Sequence, residues 1–107
     1  MSGWELIPPG SDDIYESKQF GERKVIGQFT HCRVDRNGVL IGLRVKDGPE
    51  MRIYRNKIAV EGYMAPWYPV CYMDTNESKK ICAMWAWQLI CEGKFESHRS
   101  AQDAPAT

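Results

Sequence analysis

Asn37-Gly38 stands directly before Val39-Leu40-Ile41-Gly42-Leu43-Arg44-Val45-Lys46, in which every second residue is apolar. Asparagine and glycine both accept positive φ, and this pair beside an alternating run is the strongest short-range hairpin signal. Alternation puts Val39, Ile41, Leu43 and Val45 on one strand face. A two-residue loop then sets Val34 opposite Ile41, Cys32 opposite Leu43 and Thr30 opposite Val45. That register joins apolar residues, and a one-residue slip would part them. A second turn around Asp47-Gly48-Pro49 sets Val45 opposite Met51, Leu43 opposite Ile53 and Arg44 opposite Arg52. Beyond Arg55-Asn56-Lys57, Ile58-Ala59-Val60 makes a fourth strand, and residues 4–7 make a short edge strand stopped by Pro8-Pro9. The inner face of this meander reads Ile26, Cys32, Val34, Ile41, Leu43, Val45, Met51 and Ile53.

One helix follows. Asp74 with Glu77 has capping-box spacing and Thr75 is an alternative cap, while Gly93 stops the helix and frees Phe95 to fold back. Residues 81–91, Ile-Cys-Ala-Met-Trp-Ala-Trp-Gln-Leu-Ile-Cys, are too apolar for one buried face. Cys82, Trp85, Ala86 and Leu89 form the stripe expected to lie on the sheet. A second stripe holds Lys80, Met84, Trp87 and Cys91, and the loop at residues 63–72, the tail after Gly93 or a partner must cover it. The fold expected is α+β: an antiparallel three- to four-stranded β-meander with one C-terminal helix packed on one face.

The 107 residues fit a single domain, taken as residues 1–96, with 97–107 a disordered tail. Residues 10–22 read as a polar connection pinned by Ile14, Tyr15 and Phe20. The start lacks a basic segment followed by a long apolar one, and no apolar run approaches the roughly 20 residues that cross a bilayer. A soluble, cytoplasmic protein with no membrane partner is expected.

Cys32, Cys71, Cys82 and Cys91 raise the question of a disulfide or a zinc site. Cys82 and Cys91, nine residues apart on the helix, are separated by about 13 Å along its axis, too far for either. His31 and Cys32 are strand neighbours pointing to opposite faces. The expectation is therefore buried thiols, no metal and no cofactor. With only His31 and His98 as histidines, and no glycine-rich phosphate loop or nucleophile elbow, no catalytic residues stand out and no enzyme is expected.

Two surfaces remain. Met84, Trp87, Cys91 and Lys80 on the second stripe suit a protein partner or a second copy of the chain, because exposed apolar patches and tryptophan mark interfaces. This leads to the principal expectation, a non-enzymatic binding protein acting as an inhibitor or adaptor, of the kind phages and mobile elements encode. The alternative is single-stranded DNA or RNA bound on the outer sheet face. There Phe29, His31, Arg33, Arg44, Arg52 and Tyr54 would combine phosphate contacts with base stacking. Residues 23–80 carry eleven Lys or Arg against six acids although the whole chain is neutral, so any attraction to phosphate must be local.

Overall fold

Six strands and one helix make up the computed structural model, which describes residues 3–8, 10–70 and 72–95. They are β1 (Glu5–Leu6), β2 (Asp13–Tyr15), β3 (Val25–Val34), β4 (Leu40–Val45), β5 (Glu50–Ile53), β6 (Ile58–Val60) and α1 (Asn76–Cys91). The architecture is α+β, an antiparallel sheet with the C-terminal helix on one face. Strand order is β1-β3-β4-β5-β6, and β2 pairs with the other half of the long β3. The sheet thus gains a strand, β2, in the segment expected to be a plain connection. Ile14 at its centre is fully buried as expected, whereas Tyr15 (45 % exposed) and Phe20 (84 %) pin nothing.

The first hairpin turns by a different route from the expected two-residue loop. Asp35 N–H donates to the Val39 carbonyl, and the Asp35 carboxylate accepts from the Asn37 and Val39 N–H groups. This Asx-type bonding adds Arg36 to the loop, and only Gly38 takes positive φ (80°). Val34 consequently faces Leu40, not Ile41. Leu40 enters the core (2 % exposed) and Ile41 is left half-buried at an irregularity. Cys32↔Leu43 pairs as expected, but a second irregularity between Phe29 and His31 brings Phe29 opposite Val45. The extra residue, Thr30, flips everything before it to the other face. Phe29 is therefore fully buried, which corrects its assignment to the outer face.

In the second hairpin Leu43 faces Met51 and Arg44 faces Glu50. The register is displaced by two residues from the expected one because Asp47 takes a left-handed φ of 54° and Val45 N–H reaches the Pro49 carbonyl. A shift of two preserves the faces. Leu43, Val45, Met51, Ile53, Ile58 and Val60 accordingly fill the core.

Helix α1 starts at Thr75, the alternative cap: its hydroxyl accepts from Ser78 N–H and Ser78 reaches back to Thr75 N–H. Asp74 instead pairs with Arg55 at 3.2 Å. The end is a Schellman motif, with Lys94 N–H on the Leu89 carbonyl and Gly93 N–H on that of Ile90. Phe95 then folds back onto Tyr63, edge to face at 4.8 Å. Lys79, Cys82, Ala83 and Ala86 form the buried stripe, their mostly short side chains bringing the helix close to the sheet. Trp85, expected in the core, is 46 % exposed; Leu89 is half-buried.

The helix is rotated relative to expectation because Trp87, not Trp85, is its large anchor. Its indole N–H donates to the Ile26 carbonyl at 2.9 Å, and its ring lies against Gly27 and Gly48. Residues 12–17 cover the rest of that flank. Lys80 Nζ meets Asp12 at 2.9 Å, Gln88 donates to the Tyr15 carbonyl, and Ser17 donates to Glu92. At its other end the helix is tied to β4. Asn76 accepts from Leu40 N–H and donates to the Gly38 carbonyl, both at 2.8 Å, and buried Lys79 donates to the Leu40 carbonyl at 3.1 Å. Burial pushes the Lys79 ammonium below its ordinary pKa, against an upward pull from Asp35.

Candidate nucleic-acid interface on the outer sheet face

Opposite the helix, β4 contributes Gly42 and Arg44, β3 His31 and Arg33, and β5 Glu50 and Arg52. Arg33 pairs with Gly42, Gly42 with Arg52, His31 with Arg44, and Arg44 with Glu50, so these side chains share one face. Tyr54 follows β5 and is 44 % exposed, with Lys57 Nζ 4.9 Å from its ring centroid. Of the six residues expected on this surface, all but Phe29 are on it.

Trp4 completes the surface, where the sequence reading had no place for it. Leu6 pairs with His31, which sets alternate residues of the first strand toward the outer face. The benzo end of the Trp4 indole reaches Gly42, where a Cβ would lie 2.9 Å from it. The Arg44 guanidinium stands over the ring at 4.6 Å. Glycine inside a strand marks a close approach of another group, and Gly42 was the available signal for this one. Nothing in the sequence said that the approaching group would be Trp4.

Trp4 and Tyr54 both line an open cleft of about 350 Å³, together with Arg33, Ile41, Gly42, Glu50, Arg52 and Ile53. Arg44 is committed, to Trp4 and to Glu50 at 3.4 Å. Among the described residues Arg33 and Arg52 form no ion pair, and Arg33 Nε is buried without an acceptor. No family model, curated protein or solved structure matches this chain. Its own geometry must therefore carry the functional reading.

The helix patch comes together only in part: Lys80 and Met84 line an open cleft of about 370 Å³ with Asp12, Asn76, Glu77 and Ile81, apart from Trp87 and Cys91. Trp87 is half-buried and hydrogen-bonded, Met84 packs against the core, and Lys80 is held by Asp12; Cys91 alone of the four is exposed. The large apolar residues that α1 presents to solvent are Ile81 (44 % exposed) and Trp85.

Burial, and then Glu5, push the Cys32 thiol above its ordinary pKa, and burial and Glu92 do the same to Cys91, which disfavours a reactive thiolate in both. Cys71 and the segment 97–107 lie outside the described residues. Among the described residues no three His, Cys, Asp or Glu side chains are grouped to hold a metal, and no helix is long and apolar enough to cross a membrane.

Proposed function

We propose that this is a non-enzymatic binding protein that holds single-stranded nucleic acid across the outer face of its sheet. The observation that carries this reading is the pair Arg33 and Arg52, which form no ion pair among the described residues and line one cleft with Trp4 and Tyr54 on the face opposite the helix. Guanidinium groups serve phosphate, while aromatic rings serve unpaired bases, which a duplex would keep stacked inside.

Fluorescence anisotropy of labelled single-stranded oligonucleotides at low salt tests this. Binding should weaken steeply with salt. Arg33→Glu and Arg52→Glu should each weaken it and flatten the salt slope, by about 0.7 for each phosphate that is no longer neutralised. Arg44 should be spared, since its removal would also disturb Trp4. Absence of binding to any oligonucleotide at low salt refutes the reading.

A second reading, an inhibitor or adaptor that engages a protein partner or a second copy through α1, is favoured by the solvent-facing Ile81 and Trp85. Light scattering tests the self-association version, which requires a dimer that Trp85→Ser converts to monomer. A wild-type monomer at high concentration removes it.

A further inference from the structure

Glu50 is out of place in a surface built for phosphate alone. It lines the Trp4–Tyr54 cleft from β5, two residues before Arg52 and one cross-strand row from Arg33, Gly42 and Arg52, where a carboxylate repels a phosphodiester. Its pairing with Arg44 does not account for it. The distance is 3.4 Å, both side chains are about a third or more exposed (41 % and 32 %), and such pairs contribute little. A carboxylate has about four acceptor sites, and one long contact leaves most of them available.

The cleft, about 350 Å³, is at the small end of ligand-site volumes. It has room for one nucleoside beside the Trp4 and Tyr54 rings that line it. Within it a carboxylate would meet the edge of the base. Guanine offers N1–H and the N2 amino group side by side, so that one carboxylate accepts two parallel hydrogen bonds. Thymine and uracil offer one N–H flanked by two carbonyls that repel it. Adenine and cytosine offer one amino group beside a ring acceptor.

Resting on the nucleic-acid reading above, the geometry points to a single-nucleotide subsite beside Trp4 and Tyr54 in which Glu50 selects guanine and Arg33 or Arg52 takes the adjoining phosphate. Discrimination by a bidentate contact of this kind is about tenfold. The test uses labelled thymidine octamers carrying one central guanosine, adenosine, cytidine or thymidine, bound to wild type and to Glu50→Gln at low salt. A single guanosine precludes quadruplexes. The guanosine octamer should bind wild type about tenfold more tightly than the all-thymidine octamer, and Glu50→Gln should bring that ratio within about twofold. Equal affinity of wild type for all four octamers overturns the subsite while leaving nucleic-acid binding intact, and needs no variant. Guanine preference that survives Glu50→Gln overturns the role of Glu50. No binding to any octamer overturns both proposals.

Discussion

Gly27→Ala should destabilise the protein even though alanine is normally the better strand residue. Gly27 does not have a positive φ, so alanine fits its backbone and would by itself stabilise by about 0.5–1 kcal/mol through the unfolded chain. The opposing effect is local. A Cβ there would lie 2.8 Å from Trp87 Cδ1 and run into Nε1, inside any real contact distance. Displacing the indole breaks the hydrogen bond to the Ile26 carbonyl, about 1 kcal/mol net. Overpacking adds about 1–3 kcal/mol. The sum, less the alanine gain, is a destabilisation of about 1–3.5 kcal/mol, which lowers Tm by on the order of 5–25 °C for a domain of this size. Urea denaturation followed by far-UV circular dichroism measures it in wild type, Gly27→Ala, Trp87→Phe and the double variant. Phenylalanine is smaller and has no N–H, so in its presence Gly27→Ala should cost less than about 1 kcal/mol. The cycle should then show a coupling above about 1 kcal/mol. A neutral or stabilising Gly27→Ala in wild type, or equal costs in both backgrounds, would refute the docking of Trp87 on Gly27.

Gly42→Ala should behave differently, because the clash is with the far end of an indole that lies on the surface. Its cost in denaturation should stay under about 1 kcal/mol, while displacement of Trp4 should weaken oligonucleotide binding several-fold; unchanged binding argues against Trp4 as a wall of the site. Lys79 offers a pH test. Its folded pKa is depressed, so the unfolded chain binds more protons and stability should rise with pH through the interval between the folded value and the ordinary lysine value. Lys79→Met removes that contribution, so its stability relative to wild type should fall as the pH rises toward the ordinary lysine value of about 10.4. A relative stability that does not change with pH argues against desolvation of the ammonium.

The strand and helix elements were legible where local chemistry and periodicity agreed. Alternation from Val39 to Val45, the Asn37-Gly38 turn and the Gly93 stop each named an element that is present. The hairpin details were hidden because side-chain bonding within the turn competes with the dipeptide preference. The Asp35 carboxylate lengthened the loop, and no periodicity count registers that. The face of the helix was hidden for a related reason. With apolar residues all round, the buried side was decided by what the sheet could accept. Gly27 and Gly48 open a slot for an indole, and Trp87 takes it.

The candidate site shows the same dependence on one misplaced residue. Regular alternation through β3 would have put Phe29 on the outer face beside His31 and Arg33, leaving stacking to a residue fixed in mid-sheet. The irregularity at Thr30, whose hydroxyl donates to the Arg44 carbonyl, turns Phe29 inward as a core residue. The aromatic role then passes to Trp4, which reaches across β3 from the first strand and is held by Gly42 and Arg44. A ring on the residue before an edge strand of two residues is easier to move than one rooted in the centre of a sheet. If the outer face binds unpaired bases, Trp4 is the wall that can shift to admit them. Its fluorescence in a chain retaining Trp4 alone among the tryptophans should then change on oligonucleotide binding, provided that chain remains folded by circular dichroism; no change while the oligonucleotide binds would move the stacking site away from Trp4.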